Sequence, residues 1–338
     1  MDDPVFILGT ERSGSNLLRL ILDAHPHMVV PHPPHVVRYF APLEARYGDL
    51  REPARLRGLV EDVLALVAAH IHPWPWIPAP EAVIERVEAP SVMGVYVALH
   101  EALRAHVGKA RWGCKSTFMV EHVPALRALR PGARFLWLHR DVRDVAASSK
   151  ESVFSTFVPA FTARLWVRQQ ALAAAAEAGG GVLRVPYEAL VADAEGQVRR
   201  ICAFLDEPFA PEMLRWFEGE AARTSASLSE SWRHTAAPMQ SSRLARYRKD
   251  LSATEVAEVE ELAGATMVQL GYAPEGPAQA PPSGLAAGLR EVRWAVEDDV
   301  LALRVELRSA VRDRNVRLRW RRYWLMQRIR ARLVLRGR

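Results

Sequence analysis

The chain has 338 residues, 49% of them apolar, a formal net charge of +6 and two cysteines. That is enough for one large soluble domain plus an appendage, and two cysteines exclude a disulfide framework. No apolar run approaches the roughly 20 residues of a membrane span, and Asp2-Asp3 before a short apolar run is not the start of a secretory leader, so a cytoplasmic protein is expected.

The first predicted element is a buried strand near 4–8, with Val5 to Leu8 apolar and Gly9 ending it. The loop Thr10-Glu11-Arg12-Ser13-Gly14-Ser15 leads into a helix near 15–24 with Leu17, Leu18, Leu20, Ile21 and Leu22 as its apolar positions. A strand turning tightly into a helix N-terminus directs backbone N–H groups and the helix dipole at the loop, which makes an anion site. Gly9 and Gly14 allow close backbone approach, and Arg12, Ser13 and Ser15 add donors. The spacing matches the GxxxxG of a phosphate-binding P-loop, but Ser15-Asn16 stands where a nucleoside triphosphatase needs Lys-Ser/Thr. The cation of this loop is inside it, at Arg12. A ligand-free turn is the plainer alternative for the loop taken alone.

Helices are expected near 54–70 and 92–107. Between them His72-Pro73-Trp74-Pro75-Trp76-Ile77-Pro78-Ala79-Pro80 suits neither helix nor central strand. Its two Trp side chains either line an acceptor pocket or pin a surface loop. A strand near 111–115, a helix near 120–130 and a second apolar strand at 134–139 follow. Arg140-Asp141-Val142-Arg143-Asp144 opens a helix near 142–150 just past that strand, where ligands bind in open parallel sheets. Arg140 and Ser148 can close on one phosphate, the Arg by a bidentate grip; surface ion pairing at a helix start is the alternative. Helices near 160–178, 195–205 and 252–270 and a strand near 182–185 complete the alternation. The fold class expected is α/β, a parallel sheet flanked by helices in three layers like P-loop NTPases, with a long C-terminal helical extension. Cys114 and Cys202 read as small core residues. No His/Cys cluster has zinc-ligand spacing, so no metal is expected.

Near residue 273 the composition changes. Residues 274–284 are Pro/Gly-rich and read as a linker between a domain at 1–273 and a helical tail at 285–338. From Val311 onward there are eleven Arg and one Asp, so the tail carries the basic charge and residues 1–310 have a net charge of about −4. Trp320, Tyr323, Trp324, Leu325, Ile329 and Leu333 are interleaved with those Arg residues, a composition suited to peripheral contact with an anionic membrane surface. A dimerisation helix, a dock for an acidic partner and a solvated basic tail are the competing readings.

Four short motifs in order resemble the sulfotransferases that use 3′-phosphoadenosine 5′-phosphosulfate (PAPS), over about residues 4–273. Gly9 to Leu18, GTERSGSNLL, is similar to their 5′-phosphosulfate loop. Arg140 with Ser148 eight positions later is similar to their 3′-phosphate motif. Arg111-Trp112-Gly113-Cys114-Lys115-Ser116-Thr117 with Pro131-Gly132-Ala133-Arg134-Phe135 resembles the GxKxP…PxAxF block of bacterial and Golgi-type members. Val185-Pro186-Tyr187-Glu188-Ala189-Leu190 with Ile201-Cys202-Ala203-Phe204-Leu205 resembles their V-x-Y-E-D-L…I-x-x-F-L block.

The resemblance implies a metal-free transfer of a sulfuryl group from PAPS to a hydroxyl or amine of a glycan, lipid or metabolite. It places PAPS on Arg12, Ser13, Gly14, Ser15, Asn16, Arg140 and Ser148, with Tyr187 on the adenine. A basic segment, Arg243 to Arg248, resembles the family's C-terminal basic turn, and Arg248 is its expected contact. Arg12 is placed to offset charge on the leaving oxygen, with Lys115 as a second cation on the acceptor side. Many bacterial relatives put a Glu base shortly after the first helix. Pro33 stands there in Pro31-His32-Pro33-Pro34-His35, so His35 is the expected base, with His32 and His122 behind it. The acceptor pocket is expected from residues 35–100, 150–165 and around Trp232-Arg233-His234. A nucleotide kinase-like phosphotransferase and a non-catalytic nucleotide-binding module are the other classes compatible with the loop; no nucleic-acid partner is expected.

Overall fold

The computed structural model describes residues 3–150, 152, 157–228, 232, 235–276, 283–312 and 315–336. Its strands are β1 (Val5–Leu8), β2 (Met28–Val29), β3 (Arg111–Cys114), β4 (Arg134–His139) and β5 (Val182–Pro186). All pair in parallel, in the order β2-β3-β1-β4-β5. The helices of the first half are α1 (Ser15–Asp23), α2 (Val36–Phe40), α3 (Pro53–Ala68), α4 (Pro80–Ile84), α5 (Val92–His106), α6 (Val123–Leu129) and α7 (Val142–Lys150). Those of the second half are α8 (Pro159–Ala178), α9 (Tyr187–Ala192), α10 (Ala194–Phe204), α11 (Glu220–Leu228), α12 (Tyr247–Asp250), α13 (Ala253–Gln269), α14 (Gly284–Arg312) and α15 (Val316–Arg336).

The strands are apolar at nearly every position because both faces of the sheet are covered, as in other parallel sheets. Side chains alternate between the faces. Phe6, Leu8, Trp112, Phe135 and Trp137 enter one core layer, with α3 and α5. Val5, Ile7, Leu136 and Leu138 enter the other, with Leu18 and Ile21 of α1 and Ile201 of α10. Cys114 and Cys202 are buried in these two layers as free thiols. β1 lies at the centre, with Val5 beside Gly113 on β3 and beside Arg134 on β4. The chain leaves β1 toward one edge and later returns to fill the other, so the loops after β1, β3, β4 and β5 converge at the carboxyl end of the sheet.

The expected parallel α/β sheet is present. β2 escaped the sequence reading, as did the 3-10 turn at Thr117–His122 that precedes α6. The extension consists of two helices laid against the domain. Trp294 of α14 is fully buried and donates from Nε1 to Glu258 Oε2 at 3.0 Å. Met326, Ile329 and Leu333 of α15 are buried in the same core layer as α3, and Arg332 pairs with Asp62 of α3. Part of the apolar face read as membrane-contacting therefore packs on the protein itself, while Trp320, Tyr323 and Trp324 stay exposed. No described helix is long and apolar enough to cross a membrane.

Candidate functional site

The loop after β1 is held in an unusual backbone state. Arg12 has φ 70°, a left-handed conformation that is uncommon for non-glycine residues. Gly9 (φ 146°) passes so close to the Leu138 carbonyl that a Cβ would overlap it, and a Cβ on Gly14 (φ 94°) would overlap the Tyr187 ring. No side chain caps α1, which begins at Ser15 on Gly14, so its first turn faces the loop uncovered by a cap. Behind the loop, Trp137 Nε1 donates to Gln170 Oε1 and Gln170 Nε2 to Thr10 Oγ1, at 2.7 and 3.1 Å.

The loop is one wall of a cavity of about 490 Å³ at the carboxyl end of the sheet. Arg12, Gly14, Ser15, Asn16, His35, Lys115, Arg140, Ser148 and Tyr187 all line it. Residues read from separate stretches are thus brought together. Arg12 Nε donates to Ser148 Oγ at 3.1 Å, and the Arg140 guanidinium lies 4.5 Å from the centre of the Tyr187 ring. Ser13 is buried beneath the loop. Five buried polar atoms at this site, Ser13 Oγ, Asn16 Nδ2, His32 Nε2, Arg140 Nε and Arg322 Nε, have no hydrogen-bond partner among the described residues. Buried polar atoms in native proteins are usually paired, so this group at the cavity is suited to a polar ligand, although Tyr96 and Trp216 elsewhere in the fold also carry such an atom.

The basic segment near 245 is corrected by the structure. Arg248 turns outward to Glu275, 2.8 Å away, and does not line the cavity. Arg243 lines it instead. The cause is Asp144, which accepts from the backbone N–H groups of Ala245 and Tyr247 at 2.9 and 3.0 Å and also pairs with Arg140. Asp141 and Arg143 pair with each other, and Arg143 also with Glu260, so these ion pairs are largely shielded and not the surface pairs of the alternative reading.

The three histidines expected as candidate bases stand in different surroundings. His35, with φ 59°, starts α2; its Nδ1 is 2.9 Å from Ser116 Oγ, beside Lys115, and its ring abuts Phe118 edge-on. Burial, then the charges of Lys115 and Arg322, hold its pKa well below the usual 6.5, so it is neutral at pH 7. His32 belongs to a relay. Arg322 Nη1 lies 3.3 Å from His70 Nδ1, and His70 Nε2 lies 2.9 Å from His32 Nδ1. A guanidinium can only donate, so His70 accepts at Nδ1 and carries its proton on Nε2. That proton is given to His32 Nδ1, which leaves His32 with an Nε2–H and makes it a donor, not a base. His122 sits on the 3-10 turn outside the cavity. Lys115 has its pKa lowered to about 8 by burial, against the opposing pull of Glu11.

Sequence reasoning missed Arg19, His70 and Arg322. Arg19 is buried on α1 and donates to Asn16 Oδ1, the Val30 carbonyl and Ser225 Oγ at 2.9, 3.0 and 3.2 Å, which braces Asn16 from behind. An Arg three positions after Asn16 on the first helix was a readable signal. Arg322 arrives from α15 and also donates to the Pro34 carbonyl at 2.7 Å. Of the expected acceptor segments, Tyr39, Ile71, Ser152 and Trp232 line the cavity, while Arg233 and His234 lie outside the described residues. Trp74 is buried, with its Nε1 donating to the His32 carbonyl, and Trp76 stacks on His106, so the Pro/Trp segment pins a loop.

The family model described as "Sulfotransferase family" matches residues 4–211, well over half of the chain. The chain belongs to the sulfotransferase family. It is an enzyme of sulfuryl transfer. Among solved structures, the sulfotransferase domain from the Synechococcus PCC 7002 olefin synthase is 20% identical, with a TM-score of 0.54 over 79% of this chain and 96% of that one. The sulfotransferase domain from the curacin biosynthetic pathway is 19% identical, with a TM-score of 0.53 over 80% and 98%. These likenesses concern the fold. No curated protein matches this sequence significantly. Away from the cavity, His25, His27 and Glu207 bring one ligand atom each within 4.8 Å of one another, a grouping that sequence spacing did not reveal. Both nitrogens of His25 are engaged, with the His27 N–H and the Pro208 carbonyl, and Arg111 holds Glu207.

Proposed function

We propose that this sulfotransferase takes PAPS as donor in the 490 Å³ cavity. The observation that carries this reading is the set of five unpartnered buried polar atoms around a loop with its own internal cation. In this reading the 5′-phosphosulfate lies on Arg12, Ser13, Gly14, Ser15 and Asn16 at the start of α1. The 3′-phosphate lies between Arg140, Ser148 and Arg243, and Tyr187 meets the adenine. PAPS supplies the sulfuryl group and a phosphate leaving group. The acceptor hydroxyl or amine forms its new bond to sulfur while the bond from sulfur to the bridging phosphate oxygen breaks. His35 Nε2 takes the acceptor's proton, since Nδ1 is engaged with Ser116. Arg12 and Lys115 offset the charge that develops on the departing oxygen, as in phosphoryl transfer, where positioning and charge stabilisation supply most of the catalysis. The acceptor half, with Tyr39, Ile71, Arg38 and Arg322, suits an amphiphilic glycan, lipid or metabolite.

The test is calorimetric titration with adenosine 3′,5′-bisphosphate and with ADP, which lacks the 3′-phosphate. The bisphosphate is expected to bind at least about 100-fold more tightly, on the scale of two charge-assisted contacts at about 1.5–3 kcal/mol each. Arg140→Met is expected to collapse the difference. Equal binding of both nucleotides to the wild type overturns the assignment.

A further inference from the structure

Helix α14 carries an apolar stripe that nothing in the sulfuryl-transfer site uses. Leu285, Leu289, Val292, Val296, Val300, Leu303 and Leu307 are each 43–81% exposed. They recur with an 11-residue period: 285, 296 and 307; 289 and 300; 292 and 303. Eleven residues make three turns at 3.67 residues each, close to the ordinary 3.6, so the stripe runs nearly straight along the helix. Trp294 is on the opposite face, buried in the domain, and ion pairs from Arg290 to Glu261 and from Glu291 to Arg164 hold that face down. The stripe therefore points away from the protein on a helix that is fixed in place.

The stripe reads the same in both directions about Val296. Leu285 mirrors Leu307, Leu289 mirrors Leu303, and Val292 mirrors Val300. Each mirrored pair is matched in residue type, Leu with Leu and Val with Val. A two-fold interface is self-complementary, each residue meeting the mirror position on its partner. An antiparallel pair of α14 helices with the axis at Val296 would place Leu against Leu at both ends and Val against Val at the centre. Seven such side chains expose on the order of 500 Å² of apolar surface per helix, the upper range of what a monomer leaves uncovered. Two copies would remove roughly 1,000 Å², the lower bound for a specific interface, before the flanking residues are counted. Charge argues against a lipid occupant. Residues 284–307 hold three Arg and five acidic residues, a net charge of −2, which an anionic membrane repels.

We propose that the protein is a homodimer through antiparallel self-pairing of α14, with Val296 on the two-fold axis. Sedimentation velocity of the full chain at micromolar concentration is expected to give twice the single-chain mass of 37.8 kDa. Val296→Glu sets two like charges at the axis and is expected to give the single-chain mass with an unchanged circular dichroism spectrum. Register is tested by oxidation. Val296→Cys should link to itself, and Leu285→Cys should link to Leu307→Cys when the two variants are mixed, but not to itself. The native thiols are buried and do not interfere. A wild-type monomer, a dimer that survives Val296→Glu, or self-linking of Leu285→Cys overturns the proposal. So does a monomer that sediments with phosphatidylglycerol vesicles and loses that binding in Val296→Glu, which would assign the stripe to a lipid surface.

Discussion

His35 and Lys115 occupy neighbouring places in the cavity, and burial moves both toward their neutral forms. For a base that is the useful direction, because a neutral imidazole has a lone pair to offer. His35→Ala is expected to lower kcat by about 10²–10⁴-fold, the usual contribution of a positioned base, while affinity for adenosine 3′,5′-bisphosphate is unchanged. Steady-state turnover and calorimetry together check this, and wild-type kcat in the variant would remove His35 from the role. Lys115 has the opposite requirement. Its ammonium is what the leaving oxygen needs, and with a pKa of about 8 that charge is present below pH 8 and lost as pH rises through it. The pH profile of kcat/KM for the donor is therefore expected to fall above about pH 8, whereas the low pKa of His35 leaves it flat toward mildly acidic pH. Lys115→Arg keeps a guanidinium charged throughout this range and should move the alkaline limb out of view.

At the scale of elements, helices and strands were readable wherever the apolar pattern was long or ended in clear punctuation. β4 runs Arg134–His139 as expected, between the Pro131-Gly132 turn and the charged Arg140-Asp141. β2 has two residues within a His/Pro-rich stretch, too few to show a period, and exists because β3 pairs with it. In the site, the residues that follow directly on strand ends were legible, because a parallel sheet dictates where those loops go. Arg243 was not separable from Arg248, because the turn that selects it depends on Asp144 holding the Ala245 and Tyr247 amides from another element. Arg322 was hidden for the same reason: its place depends on how α15 docks. That docking is testable. Leu333 is 2% exposed against the core, so Leu333→Ala is expected to cost about 2–5 kcal/mol, as buried Leu truncations do. Urea unfolding followed by tryptophan fluorescence measures it, and a change within about 0.5 kcal/mol, as for a surface site, would mean that the helix stands free of the domain.

Across the whole molecule, the positive charge is concentrated in the cavity as well as in the tail. Arg12, Arg38, Lys115, Arg140, Arg243 and Arg322 line one space, with Glu11 as the one carboxylate among its described lining residues. α15 contributes to this directly through Arg322, so the extension shapes the site's field even though it follows residue 273. Like charges held in a partly buried space repel and raise the free energy of the unliganded fold. A multiply charged bisphosphate relieves that repulsion, and its binding stabilises the native state through mass action by about 2.7 kcal/mol at one hundred times Kd. Thermal unfolding with the bisphosphate present is therefore expected to shift upward. The shift should shrink as salt is added, because the screening length contracts from about 10 Å at 0.1 M to about 3 Å at 1 M. Arg322→Met should show a smaller low-salt shift and a weaker salt dependence, since one of the repelling charges is gone. Differential scanning calorimetry across a salt series makes the measurement. A bisphosphate shift that is the same at every ionic strength would mean that local hydrogen bonds to the loop, not the combined field of the cavity, hold the ligand.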